Sequence, residues 1–558
     1  MKKIYADLAL AEIPRLLSCQ DRNPFSPTYG SFNREFWHTR AKGFPDSIAQ
    51  FGTLSLALIY SHKIEGGEVY YKNKEVRDWA IAGIKNWMKI QHHDGSYDEF
   101  YPNERGWAGP TGFLVYAILR SYEVLGDDFP ADLKDEFFET IKRSAWFLVT
   151  REESGVLANH HAMALLPIYQ SYFHLKDRDP LFAQKILKEF DKRMDVFLSY
   201  CYDEGWCLEY DGVDPGYLSA VVSFLSKMQR YMTGHEKWKD RIDQVISKAV
   251  DFSSFFFYPN GSYGGTLGSR QTLHFYAHGY ELQAKNNNLA GAMAKFGRQA
   301  LLDGKVVSPT IQDDRYFLYR TGEFLEAYVD SYDAENLPLL PCQKTESFEN
   351  FFPAAKIFIK NNSKHYTLLN LAKGGVLKVF DKDLKKLVFS DDGLVATMLN
   401  GKVMTTQWIG EEYQVNNLAN ISTVSGNFHQ IPYKYFSPIT YSLFTIFMIL
   451  IGWNARVADF IKGAIRNLLM TKSSKSTLSF ERNFIFEDNI IKIKNKIKSQ
   501  DKIVSLRISG QFAARYVPQS RYFQWEELDN NYFDIKNPDL TKAIEVAFDL
   551  TNNKVLLT

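Results

Sequence analysis

Residues 201–212 read Cys-Tyr-Asp-Glu-Gly-Trp-Cys-Leu-Glu-Tyr-Asp-Gly. A glycine follows a polar residue, an aromatic comes straight after, and helix-periodic sequence lies on both sides, so the segment is a turn between helices. The same punctuation occurs in HHDGSYDEF (92–100, Gly95), REESGVLANHH (151–161, Gly155) and FYPNGSYGG (257–265, Gly261). The four glycines stand 50 to 60 residues apart, the length of two helices with their connections. A repeat of that length predicts an array of helical hairpins with equivalent loops on one side. Over residues 45–300 the expected form is a closed α/α toroid around a cleft, with an open solenoid as the alternative.

Beyond residue 345 the texture changes. KHYTLLNLAKGGVLKVF (364–380), KLVFSDDGLVATML (386–399) and GKVMTTQWIG (401–410) are short runs broken by Gly-bearing turns, the signature of antiparallel hairpins. Further strands are expected in 483–497, 502–512 and 542–550. The fold class is therefore α+β: an N-terminal (α/α) toroid over 1–340 and a C-terminal antiparallel β-sandwich over 341–558. The boundary falls at LPLLPCQKT (337–345), where two prolines break both periods. No low-complexity linker intervenes, so the two parts should be packed together.

Composition narrows the function classes. Lys and Arg total 66 against 65 Asp and Glu, so no global field draws nucleic acid, and a polyanion must meet a local cluster. Aromatics at 15 % of 558 residues supply a core and rings on which sugars can stack. Cys19, Cys201, Cys207 and Cys342 lack zinc-type spacing, and scattered cysteines in a long chain indicate a reducing compartment. The N-terminal MKKIYADLALAEIPRLL is broken by Asp7, Glu12 and Arg15 and reads as an amphipathic helix instead of a secretory signal, so a cytoplasmic, membrane-associated or free, location is expected. The apolar run 441–453 (YSLFTIFMILIGW), followed by Arg456, Lys462, Arg466, Lys472 and Lys475, reads either as a buried element or as a peripheral membrane contact.

The chemistry centres on Ala158-Asn159-His160-His161, opening a helix after one repeat turn, and on Glu209-Tyr210-Asp211-Gly212-Val213-Asp214-Pro215-Gly216-Tyr217 one repeat later. If the hairpins repeat around a ring, both segments meet at one cleft. This pattern, with an Asn-His pair at a helix start and a Tyr in an Asp-Pro-Gly-Tyr turn, resembles the heparinase II/III-like and oligoalginate lyase family, as does the order of helical and sheet parts. The resemblance implies that Asn159 neutralises a uronate carboxylate, that His160 is the candidate base, and that Tyr217 serves as acid, with a base role also open to it. It further implies a carbon–oxygen lyase acting on an acidic polysaccharide or oligosaccharide by β-elimination, with no redox cofactor. A structural divalent metal in the sheet part is left open.

Those residue types suit the reaction. The C5 proton beside a uronate is hardly acidic until hydrogen-bond donors take up the charge of the enolate-like intermediate. A base then removes the proton, and O4 needs one as it departs. Each residue also has a plainer reading: Asn159 as a helix N-cap, His160 or His161 as core histidines, Tyr217 as a buried aromatic.

Arg270 could fork onto a uronate carboxylate or lower the pKa of Tyr217; its alternative is a surface arginine. His274 and His278 share a face if their segment is helical, but no HExxH or carboxylate partner is apparent, and they are taken as substrate-binding candidates. Trp37 (with His38 and Arg40), Trp107 and Tyr516 are further sugar-contact candidates. Arg515, Arg521 and Tyr522 lie near Tyr516 in sequence, and His365 and His429 are other histidines of the sheet part. A uronate C5-epimerase would use the same intermediate, and a non-catalytic glycan-binding protein of cell-surface polysaccharide biosynthesis is the reading from another class.

Overall fold

The computed structural model describes residues 1–105, 108–151, 155–232, 236–409, 413–431, 436–466, 475–517 and 520–557. Among the described residues up to 330 the α-helices are α1 Lys3–Cys19, α2 Arg34–Trp37, α3 Gly52–Ser61, α4 Lys74–Ile90, α5 Ala108–Leu125, α6 Lys134–Thr150, α7 Ala158–Leu175, α8 Pro180–Ser199, α9 Pro215–Gln229, α10 Glu236–Ser253, α11 Ala277–Gln283, α12 Asn288–Leu302 and α13 Asp314–Asp330. Local chemistry sets several starts. The side chains of Asn73, Asp179, Asp214, Asn287 and Asp313 accept a backbone N–H in the first turns of α4, α8, α9, α12 and α13, each cap stabilising by about 1 kcal/mol. Proline follows the cap in α8 and α9, where its missing N–H is harmless.

Packing runs α3 to α5 to α7 to α9 to α11 to α13, and α13 packs back on α3, so six helices close a ring. The alternate helices lie outside it: α4 on α3, α6 on α5 and α7, α8 on α7, α10 on α9, α12 on α11 and α1 on α13. The turns of Gly95, Gly205 and Gly261 share one hydrogen-bond pattern. The glycine N–H bonds the carbonyl three residues back, and that residue's N–H bonds the carbonyl after the glycine. All three glycines have φ near +90°, the region an L side chain avoids. A Cβ at Gly95 or Gly205 would run into the carbonyl of Arg143 in α6 or Lys248 in α10, so each turn is wedged against the next outer helix. Gly30 makes the same approach to Ala82 in α4, a further turn of the series that its sequence surroundings did not reveal.

Buried charge fills part of the ring interior. Glu326 of α13 accepts from Tyr116 of α5 at 2.6 Å and lies 3.5 Å from Lys227 of α9 and 3.6 Å from His278 of α11. Burial pushes the Glu326 carboxyl up, but Lys227, His278, Arg230 and Arg120 outweigh it and bring it down to about 2.

The strands follow in two antiparallel sheets. The smaller runs β1 Phe348–Phe352, β2 Ile357–Asn361, β3 His365–Asn370, β4 Val376–Asp381, β5 Lys386–Asp391, in that order. The larger comprises β6 Leu394–Met398, β7 Val403–Thr405, β8 Gln414–Leu418, β9 Ile421–Gln430, β10 Lys475–Glu487, β11 Ile490–Lys498, β12 Ile503–Ile508, β13 Phe533–Lys536, β14 Ile544–Asp549 and β15 Lys554–Leu557. Its order is β13-β12-β6-β7-β9-β10-β11-β14-β15, with β8 added on β9. The small sheet is buried on both faces. Ile357, Ile359, Tyr366 and Leu368 join the core of the helices, while Phe358, Leu369, Leu377 and Val379 join a second core with the large sheet. The period of two along each strand thus divides its side chains between two partners.

Two helices, α14 Pro438–Ile451 and α15 Ala455–Arg466, lie between β9 and β10. The apolar run 441–453 is therefore not buried in the sheets: most of its large side chains are exposed. Among the described residues no helix is long and apolar enough to cross a membrane. The cysteines are less scattered than their positions suggested, since Cys201 and Cys207 face each other across the Gly205 turn.

Candidate active site

The entry to α7 and the strand-like segment before α9 lie side by side. Tyr210 N–H donates to the Val156 carbonyl at 2.7 Å, Ala158 N–H donates to the Leu208 carbonyl at 3.2 Å, and Leu157 pairs with Glu209. Asn159 is buried at the second residue of α7; the cap position is Leu157, so Asn159 is not an N-cap. Its Nδ2 donates to Glu209 Oε1 at 2.6 Å and its backbone N–H to Oε2 at 3.2 Å. An amide nitrogen carries two protons, so one remains for another acceptor. Burial raises the Glu209 carboxyl to about 8; the two bonds from Asn159 oppose the rise, nearby Asp214 adds to it and Arg270 lowers it.

Asp214 and Gly216 shape the Asp214-Pro215-Gly216-Tyr217 start of α9. Asp214 Oδ1 caps the Tyr217 N–H at 3.1 Å, and Oδ2 accepts the Arg270 N–H at 2.9 Å, tying the 268–272 strap to the start of α9. The Thr272 hydroxyl also donates to Asp214. A Cβ on Gly216 would collide with that same hydroxyl, so only glycine lets strap and helix approach this closely. From the small sheet, Asn370 Nδ2 donates to the Leu267 carbonyl at 2.7 Å and Lys373 Nζ to the Gly268 carbonyl at 2.6 Å, holding the strap from its other side.

Tyr217 sits in this frame with its hydroxyl pKa well above the usual value. Burial is the main cause, reinforced by Tyr210, Tyr316, Glu209 and Asp214. Arg270 and Tyr217 attract each other as charges, but burial outweighs the lowering expected from Arg270. Arg270 stacks on a different tyrosine, its guanidinium 3.7 Å from the centre of the Tyr210 ring, with Asp211 Oδ1 at 4.0 Å. Arg270 is fully buried, and Nε, Nη1 and Nη2 have no hydrogen-bond partner among the described residues. Burial, then the nearby Arg515, lowers it to about 10, which leaves it charged at neutral pH. Tyr210 and Gln271, one on each side of this stack, have φ of 63° and 62°. Left-handed backbone at non-glycine residues persists only where the surroundings hold it, and it gathers at functional sites.

No family model matches the sequence, and no curated protein does. Among solved structures, the chain is similar to one described as heparinase III, with 10 % identity, a TM-score of 0.44 and coverage of 92 % of this chain and 72 % of that one. It is similar to heparan sulfate lyase HepC from Pedobacter heparinus at 9 % identity and TM-score 0.41, covering 90 % and 70 %. A chondroitinase AC lyase aligns at 12 % identity and TM-score 0.45, covering 91 % and 67 %.

The remaining candidates divide. His274 is buried near Tyr217's neighbours: its ring stacks on Tyr316 at 5.6 Å and meets Tyr522 edge-on at 5.5 Å. It does not share a helix face with His278, because α11 starts only at Ala277. His278 belongs to the ring interior, with Nε2 2.9 Å from Asp330 Oδ2, and burial lowers it to about 4. Trp37 donates its indole N–H to the Cys19 carbonyl at 2.9 Å, at the end of outer helix α1, and no described contact links it to Tyr217. Trp107 lies outside the described residues. Tyr516 is exposed, while its neighbour Arg515 pairs with Asp211 and stacks on Trp408 at 4.3 Å. His429 stacks on the same Trp408 at 5.3 Å, and His365 lies elsewhere, 3.9 Å from Asp381. His160 is half-buried in the first turn of α7, and the His161 ring lies 5.2 Å from Tyr200. No group of three or more potential metal ligands occurs among the described residues.

Sequence reasoning assigned no role to Glu209, Tyr210, Asp211 or Tyr316. The first three lie inside the quoted segment before Tyr217, and an acid shortly after a repeat turn, within a run rich in aromatic and apolar residues, was the available signal. Tyr316, at the start of α13, carried none.

Proposed function

We propose that the chain is a polysaccharide lyase that cleaves a uronate-containing glycan by β-elimination. The observation that carries this reading is Arg270: a charged guanidinium, wholly buried and without a hydrogen-bond partner among the described residues, beside a neutral tyrosine and an oriented amide. A buried cation without an acceptor is costly, and a planar carboxylate is the group a guanidinium fork accepts best. In the proposed reaction the substrate displaces the Asp211–Arg515 pair beside Arg270, the uronate carboxylate meets the uncovered guanidinium, and the second side-chain N–H of Asn159 takes up charge as it moves onto the carboxylate. His160 removes the C5 proton. The C4–C5 double bond forms as the C4–O4 bond breaks, and Tyr217 gives O4 its proton. A tyrosine whose pKa is raised suits that donor role and not the role of base. Arg515 and Asp211, paired at the edge of the stack, would contact the neighbouring sugar.

Incubation with a panel of uronate glycans tests this directly. A new ultraviolet absorbance from a 4,5-unsaturated product is expected. Deuterium exchange at C5 without absorbance would show an epimerase, and neither signal across the panel would leave a glycan-binding protein.

A further inference from the structure

Helix α14 presents an apolar face that nothing among the described residues covers. Ile439, Leu443, Ile446, Leu450 and Trp453 are between 53 % and 73 % exposed. At 100° per residue they fall on one side of the helix axis, continued by Trp453 just past its end. Phe444 and Met448 point the other way: Phe444 meets Tyr101 edge-on at 5.1 Å, Met448 is fully buried, and its carbonyl accepts Asn103 Nδ2 at 3.1 Å. Helix α15 adds a second tether, Lys462 Nζ to Glu104 Oε1 at 2.7 Å, and shows Phe460 to solvent at 74 %, four residues from exposed Arg456. The pair is thus fastened to the 97–105 loop by one face and bare on the other.

The bare face is a poor match for water, yet at 14 residues α14 is about 21 Å long, short of the roughly 30 Å of a bilayer's hydrocarbon core. Charge selects its partner. Between Phe436 and Phe480 the only acid in the sequence is Asp459, and apart from Lys462, which Glu104 holds, the bases are Arg456, Arg466, Lys472 and Lys475. A second copy of the chain would set this basic flank against itself, whereas anionic head groups complement it. We propose that α14 and α15 dock on the surface of an anionic lipid bilayer, α14 lying in the interface with its exposed side among the acyl chains. The loop that holds the pair also reaches the candidate cleft: Glu99 pairs with Arg315, whose guanidinium lies 5.3 Å from the Tyr316 ring that stacks on His274. Docking does not depend on the chemistry proposed for the cleft, and its test contains no glycan.

Sedimentation of the full chain with vesicles decides the matter. Phosphatidylcholine vesicles with about 30 % phosphatidylglycerol should carry the protein down, pure phosphatidylcholine should do so less, and high salt should weaken the binding. Leu443→Ser with Leu450→Ser changes only exposed side chains, so the thermal transition should stay in place while vesicle affinity falls about tenfold or more. Wild-type protein left in the supernatant with both vesicles would overturn the proposal, as would a double variant that binds like wild type. A dimer that the same double variant dissolves, without vesicle binding, would replace it with self-association.

Discussion

Glu209 grips Asn159 twice, its two carboxyl oxygens accepting the side-chain amide at 2.6 Å and the backbone N–H at 3.2 Å. The acid is buried and its pKa is raised to about 8, burial being the chief cause. A carboxyl that binds its proton more tightly in the folded state stabilises fully below its unfolded value. That contribution is lost as pH rises from there through about 8. Wild-type stability should therefore fall between about pH 4.5 and 8 by on the order of a few kcal/mol relative to Glu209→Gln. Denaturant unfolding of both proteins across that range gives the difference, and parallel curves would refute the coupling.

Tyr217→Phe should lower turnover on any cleaved glycan by about a hundredfold to ten-thousandfold, the usual worth of a placed general acid. The melting temperature should hardly move, since only a hydroxyl is removed. Full activity in the variant would remove Tyr217 from the reaction.

Arg270→Met should separate binding from stability. Methionine keeps the apolar contact with Tyr210 and removes a buried charge without a hydrogen-bond partner, so stability should rise by on the order of 1 kcal/mol or more. Activity should fall together with affinity for the carboxylate. A variant less stable than wild type would mean that the charge is satisfied within the fold, and the argument from Arg270 to a carboxylate would fail.

Gly216→Ala inserts a methyl group where the Thr272 hydroxyl stands. The expected cost is about 1–3 kcal/mol, the range for overpacking a tight contact. Thr272→Gly removes the obstacle but also the hydroxyl's bond to Asp214, so the double variant should lose less than the sum of the two single losses, and denaturant midpoints of the three variants measure that difference.

What was legible in the sequence is what local physics dictates. Helical period, a glycine with positive φ after a polar residue, and an Asp-Pro pair each act within a few residues, so the turns at Gly95, Gly205, Gly261 and Asp214-Pro215 could be read directly, although the last one opens α9 at Pro215. Runs of alternating apolar residues likewise marked β3 to β7, although the sequence did not say that β3 and β4 would be buried on both faces. Tertiary structure alone decided who meets whom. Arg270 stacks on Tyr210, and His274 and His278 part company at the start of α11, one among tyrosines and the other among the ring's buried charges. Tyr316 and Tyr522 reach His274 from segments with no motif of their own. Burial and charged neighbours set a pKa and a partner, and both come from chain segments far apart in sequence, which no local pattern encodes.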